Sequence, residues 1–446
     1  MKKNEYTETI LLAIPVVIGQ LSNMLMIIID NMVVGHLGKE SLSAAALASN
    51  CYILIAIIGF GALNPIPAVV AEARGAENEN DVKQLLRASM YAGFVQGVGV
   101  GFLVYVFSWF IPYLGQPKAD VNSAIPFMWI LAISTIPACV FTATKGFFDG
   151  MERTNVGMII SIFGLFLNTF LNIGLVFGKF GFPTIGLIGS AWATLISRTI
   201  MMIVMLVVVY LNKTTKPLLY LQQFDYQYLI KLIRLGIPMG LQLFFEVAAF
   251  AGAVIVIGWL PDASVNRSAH QIAMNMASGT FTVMLGISVA GSVRVGEAFG
   301  RKDKKGIWEA GKAAMIVGLV VMVACALLLI IFRKDFASLY GIKDEAVQAV
   351  TIRLIIIAAI FQLFDGAQCV GSGLLRGVQD VKLPAMITFA AYILLWIPLS
   401  YWLAFKMCYG VDGVWYAFVV ALGFAAATLN WRFYYLTKTA KEPKRT

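Results

Sequence analysis

Three acidic residues lie inside long apolar stretches of the sequence, where charged side chains are rare. Asp30 follows three consecutive isoleucines, and Glu246 and Asp365 have similar surroundings in the second half of the chain. A carboxylate at the centre of a membrane helix costs about 2.5–3.5 kcal/mol on insertion scales, so each of the three needs a reason to be there. By default such a residue indicates an ion or substrate site. The alternative is a hydrogen bond between helices, made by a protonated acid.

Oxygen-bearing side chains accompany Asp30 in the first half of the chain. Asn168 and Asn172 are one turn apart and share a face of their predicted helix. Carboxylate, amide and hydroxyl oxygens are hard donors that suit a cation such as Na⁺. The predicted cation or proton-coupling site consists of Asp30, Asn168, Asn172 and Thr194, and the first three are the expected metal ligands. Two alternatives stay open: a hydrogen-bond cage that tunes the proton affinity of Asp30, and asparagines that only join helices.

A second polar group is predicted in the other half of the chain. Gln242 lies one turn before Glu246, and Gln368 lies three residues after Asp365, so each acid shares a helix face with an amide. Aromatic residues nearby suit a bulky organic cation through apolar contact and cation–π attraction. The predicted group also includes His270, Gln271 and Asn275, of which the histidine is expected to be structural.

The elements that carry these residues are predicted to be membrane-spanning helices. Apolar residues make up 59% of the 446-residue chain and charged residues 13%, whereas soluble proteins carry about 25% charged residues. Apolar stretches of about 20 residues, each long enough to cross a bilayer, recur along the sequence. We place twelve spans at 10–34, 41–70, 88–110, 124–148, 155–178, 184–211, 232–258, 265–292, 309–332, 346–375, 382–406 and 412–437. No soluble catalytic domain fits beside them, and we find no metal-protease motif or nucleophile elbow, so an enzyme is not expected.

Basic residues are unequally divided between the two sides of the predicted membrane. With both termini on one side, 23 of the 34 Lys and Arg residues fall on that side and 8 on the other. Lys145, Arg198 and Arg353 lie within spans or near their ends. The bias predicts that both termini are cytoplasmic, and it explains the net charge of +10 without a nucleic-acid partner. The five cysteines are scattered in apolar surroundings and are expected to be core residues rather than metal ligands.

The sequence also repeats itself. Three short motifs recur at offsets of 223 to 227 residues: Ile14-Pro15 with Ile237-Pro238, Val70–Gly75 with Val295–Gly300, and Gly146–Gly150 with Gly373–Gly377. Such a repeat predicts an all-α membrane protein with two pseudo-symmetric lobes of six helices, residues 1–222 and 223–446, around a central cavity. Pro15 is expected to kink the first helix.

With these features, the chain resembles the multidrug and toxic compound extrusion (MATE) transporters, and is most similar to their NorM-like bacterial branch. The resemblance covers essentially the whole chain. It is strongest over Ile14 to Gly35, Pro67 to Gly75, Lys145 to Asn155, Pro238 to Glu246, Ala269 to Gly300 and Phe361 to Asp380.

The resemblance implies a function and assigns roles to the residues above. It implies export of cationic drugs and toxic organic compounds in exchange for Na⁺ or H⁺, by alternating access, with no cofactor besides the ion. Asp30 and its neighbours match the family's N-lobe cation site, and Glu246 and Asp365 match its C-lobe acids. Phe361 stands where some members have a tyrosine, which weakens the case for Na⁺ in the C-lobe. A monomer in the bacterial inner membrane is expected, with small organic cations, the coupling ion and the lipid bilayer as its partners.

Three other classes of protein fit the sequence less well than an exporter. A lipid-linked oligosaccharide flippase of the same superfamily would need basic residues inside its cavity, whereas the central charges here are acidic. A major-facilitator transporter would carry a basic, glycine-containing loop after its second span, and Glu72–Lys83 lacks that signature. A membrane enzyme or receptor would need a catalytic set, and the sequence contains no His/Glu metal motif or nucleophile elbow.

Overall fold

Nearly the whole chain is helical. The computed structural model describes residues 4–115, 117–212, 215–216, 223–338 and 344–438. In this part of the chain, twelve helices are long and apolar enough to cross a membrane, which confirms the predicted number and the all-α class. The spans, labelled in chain order, are α1 (Glu5–Gly35), α2 (Lys39–Gly75), α3 (Glu79–Ser108), α4 (Lys118–Gly150), α5 (Thr154–Phe177), α6 (Leu187–Leu211), α7 (Tyr226–Gly258), α8 (Ala263–Gly300), α9 (Lys304–Ile331), α10 (Glu345–Gly377), α11 (Lys382–Lys406) and α12 (Gly410–Lys438).

Several helices extend beyond the apolar stretches that predicted them. α3 begins nine residues before its predicted start at residue 88 because Asn78 caps it, accepting hydrogen bonds from the backbone N–H groups of Asn80 and Asp81. Asp303 caps α9 in the same way by accepting from Gly306 N at 2.9 Å. Hydropathy identifies only the apolar part of a span, so it does not predict the polar first turns of these helices.

Two spans are interrupted. α2 consists of the helices Lys39–Ala62 and Ile66–Gly75, and Pro65, which cannot donate a backbone hydrogen bond, lies in the turn between them. α11 contains two π-helical stretches, Ala390–Trp396 and Trp402–Lys406. π-Helical turns insert an extra residue into the helix and often occur at functional sites.

The described chain forms two compact units that use the same packing pattern. The N unit is Ile18–Leu241, and the C unit contains the chain up to Val17 together with the chain from Gln242 onwards. In the N unit, α4 packs against α2, α3 and α6, and α5 packs against α6. In the C unit, α10 packs against α8, α9 and α12, and α11 packs against α12. Each pair in one unit therefore has its counterpart six helices later, as the internal repeat requires.

The repeated sequence motifs contact each other inside each unit. Gly150 of α4 lies so close to α2 that an added Cβ would be 2.7 Å from Val70 Cβ. Gly377 of α10 approaches α8 in the same way, and its added Cβ would be 2.8 Å from Val295 Cβ. Small residues at these positions let the helix backbones approach closely, so the recurring glycines are explained by helix packing.

Both α1 and α7 divide between the units shortly after a proline. α1 changes unit between Val17 and Ile18, after Pro15, and α7 changes unit between Leu241 and Gln242, after Pro238. The compact units therefore differ from a simple division of the chain near residue 222, which stays a prediction about the repeat. α1 is assigned as one continuous helix through Pro15, so the expected kink also stays a prediction.

Polar contacts hold the first turns of these two helices inside the units. In the C unit, Arg294 at the end of α8 forms ion pairs with both Glu5 and Glu8 of α1. In the N unit, Lys231 of α7 pairs with Glu72 of α2 at 3.2 Å. These ion pairs fix the positions of the first turns of α1 and α7, which correspond to each other in the repeat.

Candidate cation and substrate sites

The N unit brings Asp30 together with two of its three predicted partners. Asn172 Nδ2 of α5 donates a hydrogen bond to Asp30 Oδ1 at 2.5 Å. Thr194 Oγ1 of α6 donates to Asp30 Oδ2 at 3.3 Å, and it also lies 3.1 Å from the backbone oxygen of Ser190. Three helices thus converge on the carboxylate. The one-turn spacing of the asparagines on α5 places the fourth predicted member, Asn168, beside this group.

Asn168 is completely buried next to Asp30, and its amide is close enough to act on the carboxyl group. Among the described residues, neither of its polar atoms forms a hydrogen bond of good geometry. The same holds for Oδ1 of Asn172. Buried amide groups are nearly always satisfied, so a bound ion or water is the natural partner for these oxygens. The donor set of one carboxylate, two amides and one hydroxyl fits Na⁺.

A positive charge that sequence reasoning did not assign to this site lies next to it. Arg198 follows Thr194 by one turn on α6, and its charge interacts electrostatically with Asp30. Arg198 Nη1 donates to the hydroxyl groups of Tyr52, at 3.0 Å, and Ser134, at 2.9 Å. From the sequence, this arginine is predicted only to lie within or near a span end. Its spacing from Thr194 was the signal that could have located it.

A second charged pair in the N unit was also missed. Lys145 and Asp149 lie one turn apart on α4, and both are buried. Lys145 extends along Gly157 of α5, and its Nζ ends close to Gly19 of α1. Asp149 lies in the last turn of α4, and the structure encloses it because α4 is packed on several sides up to that turn. The i, i+4 spacing of opposite charges was the available signal.

The C unit contains a pair of buried carboxylates. Glu246 of α7 and Asp365 of α10 are both buried, and their negative charges repel each other. Among the described residues, neither forms an ion pair with a basic side chain, and Asp365 Oδ1 has no hydrogen-bond partner. Two enclosed carboxylates without a counter-charge create a strongly favourable place for a cation or a proton.

The predicted amides of the C unit have different surroundings. Gln242 Nε2 donates to Ser372 Oγ at 2.8 Å, and the Tyr392 hydroxyl donates to Gln368 Oε1 at 3.4 Å. Gln271, in contrast, is exposed and donates to Asn275 Oδ1 at 3.0 Å. The role of Gln271 and Asn275 in the C-lobe site stays a prediction. Because Gln271 and Asn275 are one turn apart on α8, their amides form a hydrogen bond with each other.

Aromatic rings enclose the helix turn before Asp365. Phe361 is buried, and its ring lies 6.1 Å from that of Phe250 and 5.6 Å from that of Trp415. His270 is also buried against Trp415, with ring centroids 5.6 Å apart. An aromatic surface next to carboxylates provides both apolar contact and π faces for an organic cation.

The fold and the two sites together define a class of protein. In the described ranges, ionisable side chains lie inside membrane-spanning helices, and no group of three or more His, Cys, Asp or Glu residues could hold a metal ion. Ionisable residues inside the spans of a repeated six-helix pattern are typical of secondary transporters.

Comparison with known proteins identifies the family. The MatE family model matches residues 15–173 and again residues 238–402, so its two matches begin at the repeated prolines. The "Multidrug resistance protein NorM" of Vibrio cholerae is 30% identical over 452 residues, which cover 99% of this chain and 97% of that protein.

Two solved structures have the same fold. One, described as "Outward-facing conformation of a multidrug resistance MATE family transporter of the MOP superfamily", has a TM-score of 0.90 at 19% identity and covers 98% of both chains. The other, described as "Crystal structure of eukaryotic MATE transporter AtDTX14", has a TM-score of 0.87 at 21% identity and covers 96% of this chain and 95% of that one.

The chain therefore belongs to the MatE family of multi-pass membrane transporters. This confirms the family expected from the sequence. Because these relatives are transporters, it also confirms that the protein is not an enzyme, and it does not favour the flippase alternative.

Proposed function

We propose that the protein exports cationic and amphipathic drugs and toxic organic compounds across the bacterial cytoplasmic membrane in exchange for Na⁺ or H⁺. The observation that carries this proposal is that each compact unit encloses acidic side chains without a direct basic partner among the described residues: Asp30 in the N unit, and Glu246 with Asp365 in the C unit. The name of the Vibrio cholerae relative, a multidrug resistance protein, supports the same substrate class.

The C unit provides chemistry for the organic substrate. Glu246 and Asp365 offer negative charge in surroundings of low dielectric constant, where a cation is attracted much more strongly than in water. The rings around Phe361 offer apolar surface. A compound that combines a positive charge with an aromatic or aliphatic body fits both features, whereas an anionic compound would meet two like charges.

The N unit provides chemistry for the coupling ion. The oxygens of Asp30, Asn168 and Asn172 match the preference of Na⁺ for several neutral oxygens and few charges. Of the two possible coupling ions we therefore propose Na⁺ for this unit. The carboxyl pair of the C unit can bind either a proton or Na⁺ as well as the drug.

Coupling requires only that ion and drug favour opposite states of the transporter. Binding of a cation reduces the negative charge of the acids that hold the drug and so favours its release. The distribution of Lys and Arg supports cytoplasmic termini, and with them uptake of the drug from the cytoplasm. We propose that one chain is the functional unit.

Transport in proteoliposomes tests this proposal. A fluorescent organic cation should move in response to an imposed Na⁺ gradient at constant pH, and a pH gradient without Na⁺ measures the contribution of protons. Asp30→Asn, Glu246→Gln and Asp365→Asn should each lower export by at least about tenfold, the factor that corresponds to the loss of one moderate charge interaction. Glu309→Gln, which removes a surface carboxylate paired with Lys305, is the matched control and should transport normally. Normal transport by all three acid variants would refute the proposal.

A further inference from the structure

We propose that Arg198 is a positioning residue that sets the Na⁺ affinity of the Asp30 site, by acting as a fixed positive charge that competes with the ion for the carboxylate. This inference rests on the proposed function of the Asp30 site with Na⁺ as its ion. It goes beyond that function because it concerns a basic residue outside the donor set.

The placement of Arg198 follows from α6. Thr194, which donates to Asp30 Oδ2 at 3.3 Å, is one turn before Arg198, so both side chains belong to the same helix face. The charge of Arg198 acts on Asp30. Among the described residues, however, no ion pair within 4.0 Å joins the two side chains, so they interact through space, and the oxygens of Asp30 are bound by Asn172 and Thr194 rather than by the arginine.

Side chains of two other helices, α2 and α4, hold the guanidinium group of Arg198 in place. Tyr52, on α2, and Ser134, on α4, are buried and accept its hydrogen bonds at 3.0 and 2.9 Å. The guanidinium carbon also lies 5.7 Å from the centre of the Tyr52 ring, within cation–π distance. Thr135 completes this group by donating to the Tyr52 hydroxyl at 3.3 Å. Three contacts, two of them with Tyr52, therefore hold the guanidinium group in place.

Among the described residues, Asp30 is the only carboxylate that interacts electrostatically with Arg198. The other titratable side chains that interact with Arg198 are the phenol of Tyr52 and the thiol of Cys139. Both types of side chain are ordinarily uncharged near neutral pH. An arginine keeps its charge under all physiological conditions and is costly inside a membrane span. The electrostatic attraction between Asp30 and Arg198 therefore offsets the cost of placing this charge inside the span.

A fixed charge at this position has a direct consequence for ion exchange. When the ion is absent, Arg198 stabilises the Asp30 carboxylate. When Na⁺ arrives, it is repelled by Arg198 and has to share the carboxylate. At the effective dielectric constants found in proteins, a neighbouring unit charge changes ion affinity by about tenfold or more. Arg198 therefore weakens Na⁺ binding, and weaker binding allows the ion to leave in each transport cycle.

Variants that separate charge from hydrogen bonding test the inference. The measurements are the half-saturating Na⁺ concentration for transport in proteoliposomes at constant pH and the stabilisation by Na⁺ against thermal unfolding. Arg198→Gln keeps hydrogen-bonding capacity but removes the charge, and should lower the half-saturating concentration by about tenfold. Arg198→Lys keeps the charge but loses the planar contacts, and should remain within about threefold of the wild type.

A second variant covers the case in which Arg198→Gln does not fold. Ser134→Asp keeps the arginine and places a carboxylate at its Nη1, so it should also lower the half-saturating Na⁺ concentration. Arg353→Gln is the matched control, because it removes an arginine from a span of the C unit, where Arg353 pairs with Asp412 at 3.3 Å. It should leave the Na⁺ response unchanged.

The outcomes separate this inference from the proposed function. If Asp30→Asn abolishes the Na⁺ response while Arg198→Gln and Ser134→Asp leave it unchanged, the role of Arg198 is structural and the inference is wrong. If Asp30→Asn itself has no effect, or the wild type does not respond to Na⁺, the proposed role of the Asp30 site fails, and the inference fails with it.

Discussion

At the scale of single residues, the two sites differ in how the negative charge of their buried carboxylates is balanced. In the N unit, one carboxylate is surrounded by neutral donors and balanced by an arginine that acts from a distance. In the C unit, two carboxylates face each other without a basic partner in the described residues. The first arrangement is suited to a small ion, and the second to a larger or more strongly bound cation.

Asn168 allows a test of the N-unit site, because its buried amide acts on Asp30 and, among the described residues, forms no hydrogen bond of good geometry that would hold the fold together. We expect Asn168→Ala to raise the half-saturating Na⁺ concentration by at least about tenfold, the usual effect of losing one ligand or supporting group at a metal site. Thermal unfolding without Na⁺ should change little. Lower thermal stability with an unchanged Na⁺ response would mean instead that the asparagine only joins helices.

The carboxyl pair should cost the protein stability when no cation is bound. Replacing Glu246 by Gln removes a buried charge that has no counter-charge, so we expect the variant to be more stable by about 1–3 kcal/mol while its transport is lost. Chemical unfolding in detergent measures the first effect. A clear loss of stability would favour the alternative in which these acids are protonated and hydrogen-bonded as structural groups.

At the scale of helices, glycines set the distance between α3 and α4. Gly93, Gly97 and Gly101 are one turn apart on α3, and an added Cβ on each would lie 2.6–2.7 Å from the backbone of α4. This regular spacing is the small-residue pattern that lets membrane helices pack backbone to backbone. The position of the helix that carries Ser134, and with it the support of Arg198, depends on this contact.

One of these glycines has a matched control in the same helix. An added Cβ on Gly97 would lie 2.7 Å from Ile136 Cα, whereas one on Gly99 would meet nothing within 4 Å. Gly97→Ala should therefore destabilise the protein by about 1–3 kcal/mol, as overpacking does. Gly99→Ala should be neutral or slightly stabilising. Equal effects in chemical unfolding would show that the close approach of the two helices is not under steric control.

The sequence predicted the helices well because a span needs a long apolar stretch, and that requirement is local. Asp30, Asn172 and Thr194 were found for the same reason: polar residues are conspicuous in an apolar helix, and their one-turn spacings give the faces. Helix ends, such as the start of α3 at Glu79, depend on capping and were missed. The burial of Lys145 and Asp149 and the contacts of Arg198 come from neighbouring helices, so they cannot be predicted from one helix alone.

At the scale of the whole molecule, the internal repeat organises both the fold and the function. The family model matches twice, from residue 15 and from residue 238, and the packing pattern of α2, α3, α4 and α6 recurs in α8, α9, α10 and α12. The sites do not repeat, however. The position of Asp365 corresponds to Ala138 and that of Lys145 to Ser372. A common scaffold therefore carries two different charge distributions.

The central claim is that drug and cation move in opposite directions through the protein because they depend on these enclosed acids. The most direct test measures both fluxes in the same proteoliposomes, with a fluorescent organic cation and radioactive Na⁺, and with a pH-sensitive dye for protons. We predict that an inward movement of the drug is accompanied by an outward movement of the ion. Both fluxes should vanish in a variant that combines Asp30→Asn, Glu246→Gln and Asp365→Asn. Drug movement without any counter-movement of Na⁺ or protons, or unchanged fluxes in that folded variant, would contradict the account.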